Sequence, residues 1–306
     1  MGASRPGSST PTTPATARSS AVAAQTADIV PADGALYALR DATATVPSLP
    51  LIAASVMSKK LAVGTDLILL DVKAGSGAFM KTPEDATELA VACTTLAREY
   101  GRPTRAAVTD MSQPLGEAIG NALDVVEAVR LLRGEIRDRL RDAAVIFAGE
   151  AASRLLGASM GQGRAGAATA LDSGEALEAF RRMVEAQGGD PHVVDDPEKV
   201  LPAAPVVRTI TAGRSGTIAA IDAEALGRAS GDLGAGRKKK GDPIDPAVGI
   251  VFLPDVGEAV EAGQEIGTVH ARTEEDADHA RGAVAHALTL VDGPVEPPSL
   301  VYGWHG

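Results

Sequence analysis

The chain has 306 residues, of which 45% are hydrophobic and 3% aromatic, and a formal net charge of −11 at pH 7. This length predicts two domains with enough apolar surface for a substantial core. The acidic balance excludes nucleic acid as the main partner, because a phosphate backbone requires a basic surface. No apolar stretch is long enough to span a bilayer, and the single cysteine, Cys93, fits a reducing compartment. We therefore expect a cytoplasmic protein with no membrane or nucleic-acid partner.

The first 24 residues differ in composition from the rest of the chain. They are rich in Ser, Thr, Pro and Ala and show no hydrophobic periodicity, which predicts a disordered, low-complexity tail. The segment has no secretory hydrophobic region, and Pro6 stands where a myristoylation signal needs Ser or Thr. We expect no function from it.

Residues 50–62 have the pattern of a helix that places a hydroxyl beside an ammonium. Pro50 suits a first helical position, and apolar residues recur every three to four positions after it. Ser55 and Lys59 are four residues apart, so they share one face of this helix. With Arg40 delivered by the preceding turn, the pair could bind a polar heterocycle. The pattern alone favours a simpler alternative, in which Arg40 pairs with a carboxylate and the lysine is solvated near a helix end.

The next part of the chain, residues 63–200, alternates between strand and helix patterns. The run LILLDV at 67–72 is apolar almost throughout, as expected of a strand buried on both faces. Thr82 is a helix N-cap with Asp85 at the capping-box position, and 105–109 form the next strand. The order strand, helix, strand predicts an α/β domain with a central, mainly parallel sheet and flanking helices.

A glycine-containing turn over residues 73–78 follows the first predicted strand. It superficially resembles a phosphate-cradling turn, but the full P-loop and dinucleotide fingerprints are both missing. A tight exit from the strand therefore fits this turn better than direct phosphate contact.

The loop 112–121 precedes a helix predicted over 122–132. Backbone carbonyls of such a loop, together with one helix carboxylate, can form a site for a cation that prefers oxygen ligands. Glu127 is the candidate carboxylate. The alternative is an ordinary surface residue that pairs with Arg130 three positions later.

The C-terminal third predicts a small β-rich α+β domain. Pro202 and Pro205 mark its start, and short Val/Ile-rich runs with Gly turns follow. The stretch 255–271 resembles the turn of a lipoyl or biotinyl carrier, but no Met-Lys acceptor is present. The predicted division is a tail over 1–24, a remnant of a helical domain over 25–62, an α/β domain over 63–200 and the C-terminal domain over 201–306.

Three long motifs are similar to the thymidine and pyrimidine-nucleoside phosphorylase family. They are LYALRDATATVPSLPLIAASVMSKK (36–60), VGTDLILLDVKAGSGAFMKT (63–82) and TDMSQPLGEAIGNALDVVEAVRLLRGE (109–135). The similarity runs from about Gln25 to the C-terminus. It implies a pentosyltransferase of nucleoside salvage, which converts thymidine and phosphate reversibly into thymine and 2-deoxyribose 1-phosphate without an organic cofactor.

The resemblance also implies a set of site residues. The family's base-binding Arg, Ser and Lys fall on Arg40, Ser55 and Lys59, and Arg40 and Lys59 take the catalytic role. Phosphate is the implied co-substrate and a homodimer the implied assembly. A monovalent cation, usually potassium, is also implied, with the following ligands in this chain: the carbonyls of Leu115 and Ala118 and the carboxylate of Glu127.

One family feature has no counterpart in residues 1–35, namely the phosphate loop of the form K-x-S-x-G-G-x-G-D. Two alternatives to the enzyme therefore stay open. The first is a truncated, inactive homologue that only binds pyrimidine or has no function, which phosphate-dependent turnover would eliminate. The second is an interaction or carrier module built on the C-terminal domain, which a modified lysine detected by mass would indicate.

Overall fold

The computed structural model describes residues 20–22, 32, 48–237, 239 and 242–306. Of the predicted tail it includes 20–22, where the Val22 N–H donates to Gln187 Oε1 at 2.9 Å and Gln187 Nε2 donates to the Val22 carbonyl at 2.6 Å. The rest of the tail, like Arg40, lies outside the described residues. Within the described ranges, no helix combines the length and apolar character that a membrane crossing needs.

The helix predicted over 50–62 is present as α1, Leu49–Val63. Pro50 lies in its first turn, and Gly64 ends it with φ 72°, a left-handed conformation that glycine adopts without a Cβ penalty. Ala53 and Met57 are buried against the neighbouring helix, which fixes the orientation of α1 on the α/β core.

The predicted strand–helix–strand unit is confirmed. It consists of β1 (Ile68–Ala74), α2 (Pro83–Glu99) and β2 (Thr104–Asp110), with β1 and β2 parallel in continuous register. Thr82 caps α2 by accepting the Asp85 N–H, as predicted. Apolar residues of both strands, α1 and α2 form one core that includes Cys93, which is 2% exposed.

The third strand of this sheet comes from the far end of the chain. β10 (Val301–His305) pairs antiparallel with β2, so the strand order is β1-β2-β10. Trp304 of β10 packs on Phe147 with ring centroids 5.5 Å apart. The α/β class with a small β-rich C-terminal part is confirmed, with one parallel and one antiparallel pair in this sheet.

Helices make up most of the chain between β2 and residue 200. The helix over Glu175–Ala186 closes before Gly188, whose φ is 81°. The helices are α3 (Asn121–Leu132), α4 (Arg139–Leu156), α5 (Met160–Asp172), α6 (Glu175–Ala186) and α7 (Pro197–Val200), with a 3₁₀ turn over Pro191–Val194.

In the described residues, two further sheets, two α-helices and a π-helix over Gly231–Ala235 form the C-terminal part around a second core. One sheet has the order β3-β6-β8-β4 and the other β7-β5-β9. Their strands are β3 (Ala118–Gly120), β4 (Val206–Thr211), β5 (Gly216–Ile221), β6 (Gly249–Phe252), β7 (Ala259–Val260), β8 (Glu265–Ala271) and β9 (Leu288–Val291), and the helices are α8 (Ala223–Ser230) and α9 (Glu274–His286). β3 and β10 both pair across the boundary drawn at residue 200, and the proposed boundaries stay a prediction.

Candidate active site

The first candidate site is the face of α1 that carries Ser55 and Lys59. Lys59 Nζ donates to Ser55 Oγ at 3.1 Å and to the Ser55 carbonyl at 2.8 Å, so the structure brings the two predicted side chains together. Both are partly buried. The lysine is thus held along the helix by the residue one turn before it. The substrate-binding role of the pair stays a prediction.

The neighbouring face of α1 borders a cleft. Ile52, Val56 and Lys60 line a cavity of about 850 Å³ together with β1 and the segment 77–81. Because these positions lie next to 55 and 59 on a helical surface, the Ser55–Lys59 pair flanks the cleft. A volume of this size suits a nucleoside-sized ligand.

Sequence reasoning missed three side chains in this cleft. Phe79, one of four phenylalanines in the chain, is 70% exposed. Lys73 Nζ lies 2.8 Å from Asp71 Oδ2. Lys81 Nζ donates to the Ser76 carbonyl at 2.9 Å. All three lie in the second family-like motif, yet only the fold shows that they face α1.

The turn over 73–78 is a strand exit, as the sequence favoured. Its N–H groups are used internally, because Gly75 donates to Met80 at 3.0 Å and Gly77 to Met111 at 2.9 Å. A Cβ at Gly75, whose φ is 133°, would lie 2.4 Å from the Ser112 backbone nitrogen. This close approach requires glycine. With those two donors occupied, the turn does not form a phosphate cradle.

The second candidate site surrounds Glu127, whose side chain points inward from α3. The residue is 8% exposed, and its Oε1 accepts the N–H groups of Glu117 at 2.5 Å and Ala118 at 3.3 Å. The predicted surface alternative is therefore wrong, since Arg130 instead lies 3.7 Å from Glu135. The pKa of Glu127 is raised, mainly because the carboxylate is buried. The two hydrogen bonds lower this pKa in part, and the nearby Asp138 carboxylate raises it further.

Gly116 allows the Glu127 carboxylate to lie against the loop. A Cβ at position 116 would lie 2.6 Å from Glu127 Oε1 and 2.7 Å from Oε2. Only glycine, which has no Cβ, therefore leaves room for this carboxylate beside the loop.

The predicted cation ligands Leu115, Ala118 and Glu127 line one cavity of about 1000 Å³. The Phe252 N–H of β6 donates to the Glu117 carbonyl. Successive residues of an antiparallel strand direct their backbone groups to opposite sides. Ala118, the next residue, therefore directs its N–H and carbonyl away from β6 and toward the side of Glu127. Carbonyls and one carboxylate are the oxygen donors that suit a hard cation. The donor set fits such an ion, although the described residues contain no cluster of three acidic, His or Cys side chains placed for a metal.

Comparison with known protein families identifies the family of the chain. A profile described as "Glycosyl transferase family, a/b domain" matches residues 16–177, which is more than half of the chain. The chain belongs to the glycosyl transferase family. A second profile, "Pyrimidine nucleoside phosphorylase C-terminal domain", matches residues 217–291.

Curated relatives of the chain carry the names that the sequence motifs indicated. It is 43% identical over 278 residues to the thymidine phosphorylase of Agrobacterium fabrum (strain C58), covering 90% of this chain and 64% of the relative. It is 43% identical over 288 residues to the pyrimidine-nucleoside phosphorylase of Geobacillus stearothermophilus, covering 92% and 65%. The Bacillus subtilis (strain 168) pyrimidine-nucleoside phosphorylase is 46% identical over 255 residues, covering 83% and 59%. The resemblance is confirmed, and the chain spans less than two thirds of the length of these relatives.

A buried polar network at the carboxyl end of β2 was also missed. Asp110 is 0% exposed, and its two oxygens accept Ser112 Oγ at 2.7 Å, Tyr302 Oη at 3.0 Å and Arg139 Nη2 at 2.8 Å. Burial, and to a smaller extent the Asp110 charge, raises the pKa of Tyr302 to about 12. The network joins α4 and β10 to the carboxyl end of β2. No local sequence signal connects residues that are 192 positions apart.

Proposed function

We propose that this glycosyl transferase is a thymidine or pyrimidine-nucleoside phosphorylase. A phosphate oxygen attacks C1′ of the pentose, the bond from C1′ to the pyrimidine nitrogen breaks, and the electron pair of that bond goes to the base. For thymidine the products are thymine, after the base takes up a proton, and 2-deoxyribose 1-phosphate. The observation that carries the proposal is the Ser55–Lys59 pair beside the cleft, in a chain 43% to 46% identical to proteins of those names.

The proposed chemistry gives each side chain a distinct role. Negative charge develops on the ring nitrogen and the carbonyl oxygens of the leaving base. Lys59, with Arg40, would donate to those oxygens as the charge appears, which lowers the barrier because the interaction is stronger in the transition state than in the ground state. The Ser55 hydroxyl would bond the ring edge and fix its orientation. Phosphate is the nucleophile, so no protein nucleophile is required.

Lys59 is well placed for this role. Its ammonium is held against the Ser55 carbonyl and hydroxyl at 2.8 Å and 3.1 Å, so binding of the base requires little further ordering of a long, mobile side chain. Phe79 would cover an apolar face of the bound nucleoside from the opposite wall of the cleft.

We also propose that Glu127 and the carbonyls of Leu115 and Ala118 hold a potassium ion. A bound monovalent cation would supply positive charge to a carboxylate that is buried next to other carboxylates. Glu127 would hold the loop that leads from β2 to α3, and Gly116 would keep that carboxylate within reach. The same proposal places the enzyme in the cytoplasm as a homodimer.

Phosphate-dependent release of thymine from thymidine tests the proposal. The purified chain is assayed with and without phosphate, beside Arg40→Ala and a control, Lys199→Ala, which alters an exposed lysine on α7. We expect release only with phosphate, loss of it in Arg40→Ala and full retention in Lys199→Ala. Release that does not need phosphate, or that survives in Arg40→Ala, would contradict the mechanism.

A second candidate function is pyrimidine binding without turnover. It is favoured by the Ser55–Lys59 pair beside the cleft, which can bind a pyrimidine base whether or not phosphate is present. Saturable thymine binding without any phosphorolysis would select this candidate over the enzyme.

A further inference from the structure

We propose that the chain has a second ligand site, which binds a nucleoside monophosphate at the end of the sheet opposite the cleft. The site is a cavity of about 560 Å³ bounded by the start of β2, the end of α2 and the C-terminal part of α4. This volume lies in the usual range for small-molecule sites. The inference goes beyond the proposed phosphorolysis and does not depend on it.

Four guanidinium groups line this cavity. Arg98 ends α2, Arg102 lies in the following turn, Arg105 lies on β2, and Arg154 lies on α4. Two lining groups oppose them: the Asp66 carboxylate, and Gly306, whose oxygen accepts Nη1 of Arg105. Four arginines at one cavity are still a local concentration of positive charge in a chain with 40 acidic and 29 basic residues. It favours an anionic ligand.

Internal ion pairs account for only part of this charge. Glu150 is 2% exposed, and its Oε1 accepts Nε of Arg105 and Nε of Arg154, each at 2.9 Å. These hydrogen bonds lower the pKa of Glu150 against the opposing effect of burial. The side chains of Arg98 and Arg102 have no hydrogen-bond or ion-pair partner in the described part of the chain. They are therefore the groups that a ligand would engage.

The C-terminal dipole of α2 explains one arginine, because cations are favoured in the last turn of a helix. It does not explain why further arginines converge from the turn, from β2 and from α4. The rest of the wall includes apolar side chains, Leu67, Pro103 and Leu155, of which Leu155 is 57% exposed. Arginines pair with phosphate in a bidentate manner and stack on planar rings, so arginines beside an apolar wall fit a phosphate attached to a base.

The site is separate from the cleft. It lies at the amino ends of β1 and β2, whereas Lys73 and Asp110 lie at their carboxyl ends. The two cavities share no lining residue, and the length of the seven-residue strand β1 places Lys73 about 20 Å from the amino end of that strand. A ligand here acts as an effector or stabiliser and does not occupy the position of the substrate.

Calorimetric titration of the full chain at low ionic strength tests the proposal. The probes are thymidine 5′-monophosphate, inorganic phosphate and thymidine. The double variant Arg98→Gln/Arg102→Gln is compared with Arg182→Gln, an exposed arginine on α6, and thermal unfolding verifies that all variants are folded. We expect the double variant to weaken monophosphate binding about tenfold or more, and Arg182→Gln to leave it unchanged.

Lys59→Ala separates this site from the proposed base site. We expect this variant to weaken thymidine binding while monophosphate binding persists. Monophosphate binding that is unchanged in the arginine double variant, or that is lost in Lys59→Ala, would overturn the proposal. Inorganic phosphate that binds as tightly as the monophosphate would overturn the assignment to a nucleotide.

Discussion

Replacement of Gly116 by Ala tests how the Glu127 carboxylate is held. The new Cβ would lie 2.6 Å from Oε1 and 2.7 Å from Oε2, well inside contact distance. Because a glutamate can rotate, the clash itself costs little. Its consequence is that the buried carboxylate loses the N–H groups of Glu117 and Ala118.

The size of the effect follows from those two hydrogen bonds. A hydrogen bond to a charged group contributes about 1.5–3 kcal/mol, and the 3.3 Å bond from Ala118 belongs at the low end. We expect Gly116→Ala to lower the free energy of unfolding by about 3–4.5 kcal/mol, measured by urea denaturation with linear extrapolation.

A double-mutant cycle isolates the cause. In a Glu127→Ala background no carboxylate remains to be displaced, so Gly116→Ala should there cost less than about 1 kcal/mol. Glu127→Gln serves as a control that keeps an acceptor oxygen and removes the charge. If Gly116→Ala costs the same in both backgrounds, the cost comes from the loop backbone and the reasoning is refuted.

Three further predictions concern stability. Gly75→Ala places a Cβ 2.4 Å from a backbone nitrogen at a residue whose φ is 133°, so we expect the free energy of unfolding to fall by about 2 kcal/mol or more in a denaturation experiment. The control is Gly282→Ala, where a Cβ meets nothing within 4 Å, and it should change the free energy of unfolding by less than about 1 kcal/mol. Asp110→Asn leaves the Arg139 charge without its buried partner and should cost about 3 kcal/mol, and an unchanged unfolding midpoint would contradict this. Burial raises the pKa of Cys93 from 9.0 to about 11, so the thiol ionises more readily when unfolded, and stability should fall by about 2–3 kcal/mol between those pH values. Cys93→Ala should remove that part of the decline, and an identical pH profile in the variant would exclude the thiol as its cause.

Local patterns predicted much of the fold. Helix α1, the Thr82 cap, the apolar runs that form β1 and β2, and the contact between Ser55 and Lys59 all depend on residues within a few positions of one another. Helical periodicity alone determines that positions 55 and 59 share a face. These features could therefore be predicted from the sequence.

Long-range contacts could not be predicted in the same way. The pairing of β10 with β2 and the hydrogen bond from Tyr302 to Asp110 join segments 192 positions apart. The inward direction of Glu127 depends on Gly116 and on the pairing of β3 with β6, since both decide which backbone N–H groups face α3. The arginine cavity likewise draws its residues from separate elements.

Thymine binding to a Lys59→Ala variant tests the central claim, that the Ser55–Lys59 face of α1 recognises a pyrimidine base. Equilibrium titration of the full chain with thymine is compared among the unaltered protein, Lys59→Ala and the control Lys199→Ala. We expect Lys59→Ala to weaken binding about tenfold or more and Lys199→Ala to leave it unchanged. Equal affinity in Lys59→Ala and the unaltered protein would contradict it.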